Sequence, residues 1–253
     1  MMKRTHFILF APLLLASNAI ADDLWNQQVG VPAAYTSFPQ QEFDDGIFDT
    51  YTTFMVDDVV VPQGAGWDVT SISIWVTASS PSQFQNLQSA RLNIFDNPGS
   101  TDAPPASDDP MNGTIKNVSV SAVSGRSSTF EVTAADLSVN LGPGEYWIGL
   151  TPVGGVVSIG QCYEVYCSNN PAGALNGSAA RNPGEGYQFP TGSDWGSLHD
   201  LNNDAGPDYG AIDLQGTGAP EPASCAGVTV GILALLQRRA RSVRKSSERS
   251  RRT

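Results

Sequence analysis

Hydrophobic and polar residues alternate along most of the middle of the chain. In Asp68–Thr77, the aliphatic residues Ile72, Ile74 and Val76 alternate with a serine, a tryptophan and a threonine. A period of two residues is typical of a half-buried β-strand. The same alternation predicts further strands at Thr53–Val61, Arg91–Phe95, Ser128–Thr133, Glu145–Leu150 and Tyr209–Gln215. Glycine, proline and asparagine interrupt the pattern at residues 64–66, 98–110, 169–177 and 182–186, where we expect loops.

Short strands with turn signals between them favour an all-β fold. We expect an antiparallel β-sandwich over residues 22–217, jelly-roll-like, of about eight to ten strands. No long amphipathic helix is predicted in the body, and the chain lacks the repeat of fixed period that a propeller or solenoid needs. The residues expected to face the core are Ile72, Ile74, Val76, Leu92, Ile94, Phe130, Val132, Tyr146, Ile148, Leu150, Ile212 and Leu214.

The start of the chain has the order of parts found in secretory signal peptides. Lys3 and Arg4 precede the apolar stretch Phe7–Ala16, and Ala19 and Ala21 supply the small residues of a cleavage site. We expect cleavage after Ala21, so residues 1–21 form the signal peptide and the remainder is exported.

The end of the chain contains a second hydrophobic stretch. A linker at residues 218–222 holds Pro220, Glu221 and Pro222, and residues 223–241 combine an apolar run with a basic cluster, Arg238, Arg239 and Arg241. The apolar run of 12 residues, 225–236, would form a helix of about 18 Å, which is short against about 30 Å of bilayer hydrocarbon. Flanking residues and snorkelling arginines extend such a helix, and the arginines favour a cytoplasmic end. A basic tail follows at residues 242–253.

These three parts in this order resemble the PEP-CTERM sorting signal. The resemblance implies recognition by an exosortase-like membrane enzyme, with the C-terminal helix in the membrane only until processing. It also implies a destination at the cell surface or in an extracellular matrix that contains exopolysaccharide. The tail of residues 242–253 departs from the family, whose members usually end soon after the arginines. An ordinary basic-tailed membrane anchor is the alternative interpretation.

The body is also similar to other secreted PEP-CTERM proteins. Residues 56–72 resemble a recurrent "D-D-F-x-V…G-W-x-I-x-S-I" opening, residues 91–99 an "L-R-I-W-x-G-x-P" strand, and residues 141–147 an "L-P-A-G-T-Y-W" strand. Val59 replaces the usual aromatic residue and Phe95 the usual tryptophan. These motifs consist of turn glycines and inward aromatic residues, so the resemblance implies a β-sandwich and transfers no catalytic residue.

Charge is divided unevenly along the chain. The net charge is −11, but residues 22–222 hold only 4 basic residues against 24 acidic ones. A domain this acidic repels phosphates of nucleic acids and anionic membrane surfaces. Nucleic acid is therefore excluded as an expected partner, whereas cations, neutral sugars and basic partners are compatible. Asp57 and Asp58 are expected in solvent at a strand edge or turn.

The three cysteines are Cys162, Cys167 and Cys225. An exported domain meets an oxidising environment, so a disulfide between Cys162 and Cys167 is predicted. Cys225 lies in the C-terminal apolar stretch and is interpreted as a small helix residue.

Two further features are candidates for ligand binding. Asp200, Asn202, Asp204 and Asp208 place side-chain oxygens at alternating positions, which suits calcium. The alternative is an Asx-rich turn, because the positions that would hold glycine and glutamate in an EF-hand loop are both alanine. No cofactor other than this calcium is expected. Trp75 shares its strand face with serine and threonine, so it is the candidate for stacking on a sugar ring.

Evidence for catalysis is sparse. His199 stands between Ser197 and Asp200, but neighbours in sequence rarely form a triad, and no nucleophile elbow is present. We therefore expect no enzymatic activity and no catalytic residues. The predicted function is an exported envelope or matrix protein with a structural or polysaccharide-binding body. A secreted polysaccharide hydrolase, with a carboxylate pair, and a calcium-stabilised adhesin are the alternatives.

Overall fold

The computed structural model describes residues 22–27, 35–97, 101, 103–167, 178–183, 194–198 and 209–218. The strands in this part of the chain are β1 (Asp22–Asn26), β2 (Tyr35–Pro39), β3 (Phe54–Val61), β4 (Trp67–Ala78), β5 (Ser89–Asp96), β6 (Thr114–Asn117), β7 (Ser119–Ala122), β8 (Thr129–Ala134), β9 (Val139–Leu141), β10 (Gly144–Val153), β11 (Cys162–Cys167), β12 (Ser178–Arg181), β13 (Gly196–Ser197), β14 (Tyr209–Gly210) and β15 (Ile212–Gly218). The helices are single turns: α1 (Pro81–Phe84), α2 (Val156–Ile159) and the 3-10 turns Asp49–Tyr51 and Pro110–Asn112.

The strands form two antiparallel sheets. The first sheet has the order β1-β15-β4-β11-β14, with β8 and β9 also paired to β4, β7 paired to β8, and β2 paired to β11. The second sheet has the order β13-β12-β3-β10-β5-β6. The prediction of an all-β fold built from antiparallel sheets is therefore confirmed.

The core lies between the two sheets. The aliphatic residues of β4 alternate inward, with Ile72, Ile74 and Val76 buried. They pack in one cluster with residues of the second sheet, Ile148 and Leu150 among them. Burying a side chain of this size stabilises the fold by about 1.5–3 kcal/mol. Of the residues predicted to face the core, all but Ile94 and Tyr146 are buried, and those two are partly buried against the same cluster.

The second sheet is buried on its outer face as well. Phe54, Val56 and Trp147 lie on this face and pack with Ala179 and Trp195. The rings of Trp195 and Phe95 also meet edge to face, with their centroids 5.7 Å apart. Because β3 is covered on both faces, its sequence is a nearly continuous hydrophobic run rather than a clean alternation.

Several predicted features lie outside the described residues. These are the signal peptide (1–21), residues 219–222 of the linker (218–222), the sorting helix (223–241) and the basic tail (242–253). Within the ranges given above, no helix is long and apolar enough to cross a membrane.

Candidate functional site

A buried carboxyl pair lies between the sheets. On β3, Asp57 occupies an inward position between Met55 and Val59, and it is 4% exposed. On β11, Glu164 pairs with Val76 of β4, so it faces the same interior, and it is 3% exposed. The two acids therefore enter the core from opposite sheets.

Local strand pairing supplies the partners of Asp57. Ser178 stands opposite Asp57 in the β12–β3 register, and its hydroxyl donates a hydrogen bond to Asp57 Oδ1. The backbone N–H of Gly210 donates to the same oxygen at 2.7 Å and also lies 2.7 Å from Ser178 Oγ. Three strands, β3, β12 and β14, thus meet at one carboxyl oxygen.

Gly210 leaves the space in which the two acids approach each other. The Cβ that glycine lacks would fall 2.2 Å from Asp57 Oδ2 and 2.3 Å from Glu164 Oε1. These two oxygens therefore lie within 4.5 Å of each other. Any other residue at position 210 would push its side chain into the pair.

Burial controls the charge of Asp57. Loss of hydration raises the pKa of this carboxyl from 3.8 to about 7, and the negative charge of Asp58 acts in the same direction. The hydrogen bonds from Ser178 and Gly210 lower the pKa but do not offset the burial. Near neutral pH the Asp57 carboxyl therefore exists substantially in its neutral form, which can donate a hydrogen bond.

Two surface clefts lie elsewhere on the sandwich. The first, of about 310 Å³, lies beside the end of the β5–β6 pairing, which stops at Leu92 and Thr114. Its lining consists of Leu92, Asn93, Ile94, Phe95, Asn112, Gly113, Thr114, Lys116 and Val139. The second, of about 320 Å³, is lined by Asp68, Val69, Thr70, Leu137, Ser138, Val139 and Asn140. Both contain amide or hydroxyl groups beside aliphatic residues, and neither is lined by the carboxyl pair.

An ion pair holds the loop beside the first cleft. The Arg91 guanidinium contacts Glu42 twice, through Nε to Oε2 at 2.6 Å and through Nη2 to Oε1 at 2.7 Å. Its Nη1 donates to the carbonyl oxygens of Met111 and Gly113, at 2.9 and 2.8 Å. The Glu42 carboxylate raises the pKa of Arg91. This arrangement is a structural clamp, because it joins β5 to two loops.

The predicted disulfide between Cys162 and Cys167 is not formed. Cys162 is a free, buried thiol that donates to the Gln40 carbonyl oxygen at 3.1 Å. Both cysteines belong to the extended strand β11. Five residues of strand separate their Cα atoms by about 16 Å, far beyond the reach of a disulfide. Burial raises the pKa of the Cys162 thiol, which therefore stays protonated.

Trp75 does not present its ring to solvent. It faces outward from β4 as predicted, but it is only 7% exposed and packs with Val165 and Ala211, with Val123 beside them. Its ring is therefore unavailable as a platform for a sugar. The expectation that Asp57 and Asp58 lie in solvent was wrong too, since they are 4% and 2% exposed.

The remaining predicted site residues lie outside the described part of the chain. They are Ala19 and Ala21, Pro220, Glu221 and Pro222, Arg238, Arg239 and Arg241, and the calcium candidates Asp200, Asn202, Asp204 and Asp208. Among the residues that are described, no three histidine, cysteine or acidic side chains group in a way that could hold a metal ion.

Sequence reasoning missed the carboxyl pair. The signal available was an acid inside a hydrophobic strand, Asp57 within Phe54–Val61. Nothing in the sequence joined it to Glu164, which is 107 positions away in the numbering of the chain. Comparison of the chain with family models, curated proteins and solved structures gives no match.

Proposed function

We propose that this chain is an exported protein of the cell envelope or extracellular matrix, delivered by a PEP-CTERM-type tail. The observation that carries the proposal is the ordered triple Pro220-Glu221-Pro222, apolar run and arginine cluster, at the end of a chain that starts like a secretory precursor. An exosortase-like enzyme recognises this tail while the helix of residues 223–241 is in the membrane, and processes it.

The body acts, in this proposal, as a non-catalytic β-sandwich of jelly-roll type that is structural or binds polysaccharide. Its strong negative charge favours a neutral ligand over an anionic one. The two clefts support the polysaccharide role, because amide and hydroxyl groups next to aliphatic residues match the mixed surface of a sugar. The acid pair Asp57 and Glu164 is buried in the core, which argues against its use in hydrolysis.

Replacement of Pro220, Glu221 and Pro222 by alanine tests the sorting role. In producing cells we expect the variant to accumulate as a longer, membrane-associated product, because the enzyme no longer recognises it. Replacement of Ser246 and Ser247 by alanine is the matched control, since it changes the same end of the chain outside the triple. A triple-alanine variant that yields the wild-type-sized product would refute the sorting proposal.

Binding to the producer's own extracellular polysaccharide tests the role of the body. We expect saturable binding by the mature chain, measured by calorimetry with calcium and then with EDTA. Loss of binding in EDTA would shift the assignment to the calcium-dependent adhesin and its loop at residues 200–208. Absence of binding in both conditions would leave a structural matrix protein, with the tail as its sorting signal.

A further inference from the structure

The first cleft, beside the end of the β5–β6 pairing, differs from the second in how its polar side chains are used. In the second cleft they bond within the protein. Asn140 Nδ2 donates to Asp68 Oδ1 at 2.6 Å, and Thr70 Oγ1 donates to the carbonyl oxygen of Gln215 at 3.3 Å. In the first cleft, four polar side chains have no hydrogen-bond partner in the described chain: Asn93, Asn112, Thr114 and Lys116. The first cleft therefore holds hydrogen-bonding capacity that the fold itself does not use.

We propose that the first cleft is the polysaccharide site of the body, and that it takes a neutral sugar unit through the amide of Asn93 and the ammonium of Lys116. The inference rests on the proposed polysaccharide role, and it names the site and the ligand class for that role. Each hydroxyl group of a sugar both donates and accepts hydrogen bonds, and the C–H bonds of the ring form an apolar surface. The cleft offers partners for both, because Leu92, Ile94 and Phe95 line it together with the polar groups.

Asn93 gives the strongest single argument for a ligand. It is 1% exposed, and neither its Oδ1 nor its Nδ2 has a hydrogen-bond partner in the described chain. Gly149, opposite it in the β10–β5 register, has no side chain to offer. Arg91, two residues earlier on β5, is committed to Glu42 and to two loop carbonyl oxygens. Burying an amide without partners costs stability, and two hydroxyl groups of one sugar ring would supply the missing donor and acceptor.

Gly113 leaves open the space beside the Asn93 amide. A Cβ at this position would collide with Asn93 Oδ1 and with the carbonyl oxygen of Leu92. The Gly113 backbone is extended, at φ −61° and ψ 160°, so the glycine is needed for space and not for an unusual conformation. Its carbonyl oxygen accepts a hydrogen bond from Arg91 Nη1 at 2.8 Å, which holds this wall of the cleft in place. The cleft is therefore preformed, as is usual for small-ligand sites.

Lys116 is the one basic residue of the body without a partner in the described chain. Residues 22–222 hold four basic residues, of which Arg91 pairs with Glu42, and Arg126 and Arg181 have partners as well. The Lys116 ammonium therefore keeps three donors for hydroxyl oxygens. A neutral sugar fits this site better than an anionic one, because the 24 acidic residues of the body repel negative charge.

Calorimetric titration of the mature chain with soluble fragments of the producer's extracellular polysaccharide tests the site. Lys116→Met keeps the aliphatic stem but removes the ammonium, and Asn112→Ala removes an exposed amide of the cleft. We expect each change to weaken binding about fivefold to tenfold, as the loss of one hydrogen bond would. Asn140→Ala is the matched control, because it removes an amide of the second cleft and should leave the affinity unchanged.

Asn93→Leu separates a binding role from a structural one. It replaces the buried amide by an apolar side chain of similar shape, so binding should weaken at least about tenfold while the melting temperature stays at or above that of the wild type. Lys116→Met and Asn112→Ala change side chains that are not fully buried, so they decide the question even if Asn93→Leu does not fold. Affinity should be the same at low and at high salt, because the ligand carries no charge.

The possible failures are distinguishable. Wild-type affinity in all three variants of the first cleft would overturn the site but leave the polysaccharide role of the body intact. Equal losses in Asn112→Ala and Asn140→Ala would overturn the choice of the first cleft over the second. Loss of binding at high salt would replace the neutral ligand by an acidic sugar paired with Lys116. Absence of binding by the wild-type chain would remove the polysaccharide role, and this site with it.

Discussion

The ion pair of Arg91 and Glu42 gives the sharpest prediction of stability. Arg91→Met keeps most of the aliphatic stem of the side chain but removes the guanidinium. Glu42, which is 9% exposed, then keeps a buried carboxylate without its cation. The carbonyl oxygens of Met111 and Gly113 lose the donor that Nη1 supplies.

The magnitude follows from the burial of the pair. The side chain of Arg91 is 13% exposed and that of Glu42 is 11% exposed, so the pair resembles a buried salt bridge more than a surface one. Breaking a buried pair by removing one partner costs about 3–5 kcal/mol, whereas a surface pair contributes about 1 kcal/mol or less. We expect Arg91→Met to reduce the free energy of unfolding by about 3 kcal/mol, because slight exposure screens the charge left behind.

Urea unfolding followed by tryptophan fluorescence measures this loss. The companion variants are Glu42→Gln and the double variant Arg91→Met/Glu42→Gln. In the double variant no unpaired charge remains, so its loss should be smaller than the sum of the single losses by about 1–3 kcal/mol. A loss below about 1 kcal/mol for Arg91→Met, with additive effects in the double variant, would show that the pair behaves as a surface salt bridge.

Three further predictions follow from buried groups. Gly210→Ala should reduce the free energy of unfolding by about 1–3 kcal/mol or more, because the new Cβ would collide with Asp57 and Glu164. Gly142→Ala is the control, since a Cβ has room there and should have little effect. Equal losses of stability in the two variants would refute the packing argument. Cys162 should resist iodoacetamide in the native chain and react only on unfolding, as peptide mass spectrometry would show; native labelling at the rate of an exposed thiol would contradict its burial. Trp75→Ala should lower the melting temperature without changing polysaccharide affinity, and a loss of affinity at full stability would restore the sugar-contact interpretation.

Strands covered on one face could be predicted well from the sequence. β4 alternates cleanly because its outer face is richer in polar residues, so Ile72, Ile74 and Val76 were assigned to the core correctly. β8 and β15 follow the same rule. Short strands such as β6, β7 and β9 were missed, because three or four residues give too little periodicity to distinguish them from loops.

The end of the body shows a limit of pattern reading. The prediction of a single strand at Tyr209–Gln215 corresponds to two strands in the structure, β14 and β15, which pair with different neighbours. The break at Ala211 leaves the local hydrophobic pattern intact, since Ile212 and Leu214 still face the core. The change of pairing partner between β14 and β15 therefore left no trace in the local hydrophobic pattern.

The candidate site was less predictable than the fold because it depends on contacts between distant segments. Asp57, Glu164, Ser178 and Gly210 belong to four strands, and each residue type taken alone is ordinary. The disulfide prediction failed for a related reason. Spacing and compartment favoured the pair Cys162 and Cys167, but the extended conformation of β11 keeps the two residues apart.

The central claim is that the chain is an exported protein that is processed at both ends. The most direct measurement is the intact mass of the mature protein recovered from the surface or medium of producing cells. We predict a chain that begins at Asp22 and ends close to Pro220-Glu221-Pro222, without the arginine cluster. A mature chain that still extends to Thr253 would contradict the sorting account.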